Sequence, residues 1–236
     1  MKYAGKARRA ALKLIFSTLA TVGGAVFLLG VALRLAGAVP NFLIVVAMYF
    51  AAALVVVWVL FAFFTFYFFR DPNAKTPDGP GLVVCPGHGK IDAVGQLSES
   101  QFPGGPCHRI SMFLSVIDIH VQNAPVSGRV VSVNHTAGKF INAMVADSAL
   151  YNENVLIGLD STQTPGEKIG VRLIAGVLAR RIIPFVKAGD EVQRGQRISL
   201  IQFGSRCDLY LPLDYKIKVK VGDKVVGGET VMASKS

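Results

Sequence analysis

Acidic residues are missing from the first 69 positions of this 236-residue chain. Those positions hold six Lys and Arg and carry +6, whereas the remainder sets nineteen basic residues against fifteen acidic ones and carries +4. The basicity is therefore concentrated as a topology and anionic-lipid signal. It is not a nucleic-acid footprint, because no basic stretch is interleaved with aromatics as in single-strand binders. Cysteine is scarce: Cys85, Cys107 and Cys207 are widely spaced, with no C-x-x-C pair. An odd count at such spacings excludes a disulfide framework and fits a reducing compartment. No H-E-x-x-H and no His/Cys cluster at metal-ligand spacing occurs among the four histidines, so no metal site is expected. The G-x-S-x-G elbow of α/β-hydrolases is also absent.

Charge itself is absent over long runs. None occurs from Leu14 to Leu33 or from Leu35 to Phe69, with Arg34 alone between. About 20 apolar residues span a bilayer as a helix. The pattern predicts a transmembrane hairpin within 1–69, with spans at about 14–36 and 42–68 and a turn at A36-G-A-V-P-N41. A cleavable signal peptide competes for the first run, but its apolar core exceeds the usual ~7–15 residues and a second span follows at once. Five basic residues precede the first span and Arg70 and Lys75 follow the second. The positive-inside rule then puts both termini in the cytoplasm.

After a Pro/Gly-rich linker at 70–80, apolar runs of strand length recur between Gly signals, among them R109-I-S-M-F-L-S-V116, V155-L-I-G-L159 and Y215-K-I-K-V-K-V221. The segment F140-I-N-A-M-V-A-D-S-A-L150 has room for one short helix. The expected fold is a mainly β, barrel-sandwich-like (α+β) soluble domain over 81–236. Two copies of V-x-x-G-D-x-V-x-x-G, at 186–195 and 219–228, support it. Their Gly-Asp pairs suit tight turns. Biotin or lipoate carriage is not expected, because Asp223-Lys224 lies inside such a turn and not on a separate hairpin tip.

Three places carry possible chemistry. His120 follows Asp118 by two residues, which on a strand puts both side chains on one face. His88 stands between two glycines in V83-V-C-P-G-H-G-K90, a composition for an exposed turn. Gly204-Ser205 interrupts the apolar run I198-S-L-I-Q-F-G-S-R-C-D-L-Y-L211, where Gly is a poor strand residue. It reads either as a β-bulge or as a site of backbone chemistry. In the second reading the Ser205 hydroxyl attacks the Gly204 carbonyl, the peptide becomes an ester, β-elimination breaks the chain, and hydrolysis leaves a pyruvoyl group. That ketone forms a Schiff base with an amine and accepts the electrons of a departing carboxylate.

Several stretches together resemble phosphatidylserine decarboxylase in its short, membrane-anchored, pyruvoyl-dependent form. They are V83-V-C-P-G-H-G-K-I91, F113-L-S-V-I-D-I-H-V-Q-N-A-P-V-S-G128, G138-K-F-I-N-A143, N152-E-N154, I174-A-G-V-L-A-R-R-I182 and F203-G-S-R-C-D-L-Y-L-P212. The resemblance implies self-cleavage between Gly204 and Ser205 into chains 1–204 and 205–236 that stay together as a heterodimer, with room for a higher oligomer. Ser205 becomes the covalent pyruvate cofactor. His120 assists decarboxylation, and the substrate is a serine phospholipid at the inner membrane, acted on from the cytoplasmic side. Arg109 is a candidate for the substrate phosphate, from charge. The chain departs from the family at His88, where Asp is usual, and at Asn123, where the longer branch carries histidine. His88 either activates Ser205 as a base or marks slowed or lost cleavage. A catalytically silent relative and a membrane-tethered adaptor without chemistry are the alternatives to the enzyme.

Overall fold

The computed structural model describes residues 3–37, 40–98, 105–141, 151–164, 166–176, 181–202 and 205–235. It divides into two units, one of residues 5–70 and one of residues 1–4 with 71–236.

The first unit is a pair of helices, α1 (Lys6–Leu35) and α2 (Asn41–Phe68). At 1.5 Å per residue their 30 and 28 residues exceed a hydrocarbon core of about 30 Å. Both are long and apolar enough to cross a membrane. Gly37, at φ 73°, stops α1 in the left-handed region, and Pro40 stands immediately before α2. Trp58 Nε1 donates to Thr18 Oγ1 at 3.2 Å, so the one indole N–H finds its partner on the other helix. Ser17, Thr18 and Thr21 turn their hydroxyls back onto carbonyls of α1.

The second unit is built from strands: β1 (Leu82–Val84), β2 (Gly89–Leu97), β3 (Cys107–Leu114), β4 (Val121–Asn123), β5 (Gly128–Thr136), β6 (Asn154–Ser161), β7 (Lys168–Ala175), β8 (Arg181–Pro184), β9 (Glu191–Val192), β10 (Arg197–Gln202), β11 (Ser205–Leu211), β12 (Tyr215–Ile217), β13 (Lys224–Val225) and β14 (Val231–Lys235). An eight-stranded antiparallel sheet runs β13-β2-β3-β11-β7-β6-β5-β9, and two three-stranded sheets run β1-β14-β12 and β4-β10-β8. Every strand pair is antiparallel. The mainly β expectation is met. The expected helix over 140–150 falls largely at 142–150, outside the described residues.

The sheet order is built alike from either edge. Hairpin β2–β3 with β13 outside it mirrors hairpin β5–β6 with β9 outside it, and β11 meets β7 in the middle. The small sheets mirror each other too. Two similar halves are thus nested along the chain: β4–β6 with β7–β10 form one, inserted between β3 and β11 of the other, which is β1–β3 with β11–β14. The V-x-x-G-D repeats are the corresponding wraps of the two halves. Gly189 and Gly222 hold φ of 92° and 98°, and the Asp190 and Asp223 carboxylates accept from the backbone N–H of Lys187 and Lys220. Gly189 N–H donates to Val130 O and Gly222 N–H to Ile91 O, at matching places in β5 and β2.

The core lies on one face of the large sheet. Ile110, Met112 and Leu114 of β3, Cys207, Leu209 and Leu211 of β11, and Val171 and Leu173 of β7 all point into it. The linker is held to this unit. Arg197 grips both oxygens of Asp71 at 2.6 and 2.7 Å, and Arg194 donates to the carbonyls of Pro77, Gly79 and Leu82.

Candidate active site

Ser205 does not lie inside a strand but opens one. β10 ends at Gln202 in one small sheet and β11 starts at Ser205 in the large one. Ser205 thus opens a strand in a different sheet from β10, and Gly204 lies outside the described residues. Side chains alternate along β11 with period two. Ser205 therefore shares the inner face with Cys207, Leu209 and Leu211. Its cross-strand partners are Leu114 on β3 and Ala175 on β7, both fully buried. Ser205 is itself fully buried, and its Oγ has no hydrogen-bond partner among the described residues. A hydroxyl in that state costs roughly 1–3 kcal/mol. An unsatisfied buried polar atom asks for an explanation in chemistry.

His120 is buried just before β4, in an irregular connection and not on a strand. His120 Nδ1 meets the Asp118 carbonyl, at 2.9 Å, and not the Asp118 carboxylate. The Asp118 carboxylate instead accepts from the Ser115 N–H at 2.8 Å, closing the turn. A carbonyl only accepts, so Nδ1 carries the proton and Nε2 is the basic nitrogen. The His120 carbonyl takes two donors, Gln122 Nε2 at 2.7 Å and the Ile201 N–H at 3.0 Å. Ser199 Oγ in turn donates to Gln122 Oε1 at 2.7 Å. Gln122 and Ser199 thus pin His120 to β10, four residues before Ser205. The sequence reading missed both. Their signal was present as polar residues inside apolar strand runs.

His88 lies in the turn between β1 and β2. A Cβ on Gly87 would touch Met112, Leu114 and Cys207, and one on Gly89 would lie 2.2 Å from the Phe113 carbonyl oxygen. The turn is thereby pressed onto the end of β3 opposite Ser205. Asn123 N–H donates to Pro86 O at 2.8 Å, which ties β4 to the same turn. His88 and Asn123 then share a cavity of about 250 Å³ with Ile119 and Val121, the neighbours of His120. The His88 turn therefore lies at the end of β3 that Ser205 faces, and β4, just after His120, is tied to that turn through Asn123. Arg109 does not join them. It stands opposite Tyr210 on β11, five residues from Ser205 and so about 17 Å along the strand.

Burial sets the thiols. Cys85 Sγ donates to Gly87 O at 2.9 Å, and burial pushes its pKa up to about 12. Burial likewise holds Cys207 well above the ordinary thiol range, with Cys85 and Asp208 adding to it. Neither is a thiolate nucleophile at neutral pH.

On the other face of β11, Arg206 pairs with Asp92 at 2.8 Å and with Asp208 at 3.4 Å. Asp92 is the extra residue of a bulge, since Ile91 pairs with Met112 and Ala93 with Ser111. The bulge re-aims its carboxylate toward β11. Burial raises the pKa of Asp92, and Arg206 opposes the rise. The strand that begins at Ser205 is thus anchored sideways at its second residue.

A fully buried serine with an unpartnered hydroxyl at the first residue of a central strand, next to the end of β3 on which the His88 turn is packed, belongs to a mainly β protein. Comparison with known proteins gives the family. The phosphatidylserine decarboxylase family model matches residues 61–233. The phosphatidylserine decarboxylase proenzyme of Desulfotalea psychrophila is 42% identical over 176 residues, 75% of this chain and 81% of that protein. That of Symbiobacterium thermophilum is 40% identical over 190 residues, 80% and 87% of the two chains. The chain belongs to the phosphatidylserine decarboxylase family.

Proposed function

We propose that this chain converts phosphatidylserine to phosphatidylethanolamine and carbon dioxide, using a pyruvoyl group made from its own Ser205. The observation that carries the reading is the fully buried Ser205 Oγ with no partner among the described residues, in a chain whose relatives are called proenzymes. Maturation follows from the residues present. Ser205 Oγ attacks the Gly204 carbonyl and the acyl group moves from nitrogen to oxygen. Elimination across Cα–Cβ releases Gly204 as a carboxylate. Water then replaces the nitrogen, freed as ammonia, and leaves the ketone. His88, in the position where the family usually has Asp, is the base for the Ser205 proton. The chain becomes residues 1–204 and 205–236, which remain together.

The apolar surroundings of Ser205, with Leu114 and Ala175 beside it, fit a small uncharged ketone. When present, that group condenses with the substrate amine and takes up the electrons of the departing carboxylate. This chain's part is then proton handling and exclusion of water. The substrate carbon that loses CO₂ must gain a proton, and His120, held through Nδ1, delivers it from Nε2. The domains are the hairpin over 1–69, the linker over 70–80 and the decarboxylase domain over 81–236. Five basic residues ahead of the apolar run that starts at Leu14, four of them in the first turns of α1, and Arg70 and Lys75 after α2 favour an inner-membrane hairpin with the decarboxylase domain in the cytoplasm.

The test is the intact mass of the purified full chain beside Ser205→Ala. Two chains split after Gly204, the smaller reacting with hydroxylamine, are expected from the wild type and one 25.3 kDa chain from the variant. A single uncut chain in both samples would overturn the pyruvoyl reading and favour a silent relative. His120→Gln is expected to leave cleavage intact and to lower phosphatidylethanolamine formation by roughly 10²–10⁴. Unchanged formation would remove His120 from the chemistry.

A further inference from the structure

The two halves of the strand-built unit supply an internal control for every position of the V-x-x-G-D wrap. In one half β9 lies on β5 with Glu191 opposite Arg129; in the other β13 lies on β2 with Lys224 opposite Lys90. All four residues are exposed. Directly opposed side chains on neighbouring strands have Cβ atoms about 4.5–5.5 Å apart, and like charges there are unfavourable. The fold accepts the favourable pair at this place, as the first half demonstrates. The second half holds the unfavourable one.

The differences continue along the wrap. At the same offset of 33 residues, Ile183, Phe185, Ala188 and Gln193 of the first half correspond to Lys216, Lys218, Val221 and Val226 of the second. Lys216, Lys218 and Lys220 are exposed and alternate with half-buried Ile217 and Val219. Val221 and Val226 stand 59% and 41% exposed, where the first half has alanine and glutamine. The acidic groups nearby are engaged elsewhere. Asp223 accepts from the Lys220 N–H at 2.9 Å, and Asp92 pairs with Arg206 at 2.8 Å. Among the described residues no ion pair neutralises Lys90 or Lys224. Beside the lysine pair opens a cavity of about 340 Å³ lined by Lys90, Ile91, Asp92, Phe113, Val221 and Gly222.

A row of lysines next to protruding valines is a surface matched to anionic phospholipid. The charges meet the headgroups and the short apolar side chains enter the interface. We propose that the edge formed by residues 216–226 with Lys90 docks on an anionic bilayer surface, headgroup phosphates standing between Lys90 and Lys224 and the valines reaching the acyl boundary. A phosphodiester between the two ammonium groups removes the repulsion that the pairing otherwise carries. The inference rests on the two halves alone and does not require the decarboxylation chemistry.

The experiment uses the full chain in lipid nanodiscs. Val221→Cys is labelled with a bimane fluorophore, which is selective because the three native cysteines are buried. Nitroxide-bearing lipids are the quenchers. One set of discs is phosphatidylcholine alone; the other contains an equal part of phosphatidylglycerol, an anionic lipid with no serine to decarboxylate. Quenching is expected to be roughly fivefold stronger in the anionic discs. Lys224→Glu, which reproduces the charge pair of the first half, is expected to abolish that difference while keeping or raising the melting temperature. Equal quenching in both discs, no quenching in either, or undiminished quenching in Lys224→Glu would overturn the proposal. So would stabilisation of the wild type, but not of Lys224→Glu, by inorganic phosphate without lipid quenching. That result would assign the lysine pair to a soluble anion.

Discussion

At the scale of single residues, the site depends on where side chains are missing. Gly89 follows His88 and sits against the Phe113 carbonyl, where a Cβ would approach to 2.2 Å. Backbone cannot yield to that contact as a flexible side chain would, and forced overpacking costs about 1–3 kcal/mol or more. Gly89→Ala is expected to lower the melting temperature and, by lifting the His88 turn off β3, to slow cutting at Ser205. Gly95, six residues along β2, has open space within 4 Å and no left-handed φ. Gly95→Ala is expected to leave both readouts within error of wild type. Equal effects of the two would remove the close approach as the cause. The candidate residues at this scale are legible as types and spacings: Gly204-Ser205, His120 and His88 stand out in the sequence. Their settings are not. Asp118 and His120 two residues apart suggested one strand face, but the chain there is a turn, and the imidazole meets a main-chain carbonyl that no spacing rule announces. Arg109 was picked for its charge, and strand register alone separates it from Ser205.

At the scale of elements, strands with apolar faces were legible and polar or very short ones were not. β3, β6, β7 and β10 read as strands because their buried residues recur in runs. β2 was read only as a turn with a histidine, since among its nine residues Ile91 alone is fully buried. β9 and β13, two residues each, carry no pattern of their own. What fastens the last strands is also invisible to periodicity. Glu167 accepts from Tyr215 Oη at 2.6 Å and from Lys235 Nζ at 2.7 Å, and Asp214 holds the same ammonium at 2.9 Å. The hydrogen bonds to Glu167 and Asp214 raise the pKa of Lys235 above 10.5. Burial, followed by the bond to Glu167, raises that of Tyr215 above 10.0. Folded pKa values above the unfolded ones give stability that is complete below the unfolded values and lost as pH rises through the folded ones. The clamp is therefore expected to hold unchanged from neutral pH to about 10 and to loosen above it. Hydrogen exchange of β14 against pH reads this. Protection that fails instead between pH 6 and 9 would mean that another group governs the strand, and Glu167→Gln should shift the alkaline loss to lower pH.

At the scale of the strand-built unit, the nesting of one half inside the other decides what a cut between residues 204 and 205 does. Residues 205–236 carry β11, β12, β13 and β14, and among these only β12 and β14 pair with each other. β11 lies between β3 and β7, β13 on β2, and β14 against β1 with β12 on its other side. The small chain therefore has almost no sheet of its own to fall back on, and its central strand buries all seven residues in a sheet made by the larger chain. Removing it means opening the middle of that sheet. Both chains are expected to co-elute in native gel filtration, and in guanidinium both are expected to be lost in a single transition. Refolding separates the states further. The uncut Ser205→Ala chain delivers β11 to its slot as part of one polymer, whereas the cut protein must capture a separate 32-residue segment in the centre of a sheet, against its translational entropy. After dilution from denaturant the variant is expected to regain its sheet at a rate independent of concentration. The cut wild type should regain it slowly, in a concentration-dependent manner, and with loss to aggregation through the unpaired edges of β3 and β7. A small chain that dissociates while the large one keeps its hydrogen-exchange protection would contradict this assembly, because the cut splits the half made of β1–β3 with β11–β14, and β11 also borders β7 of the other half.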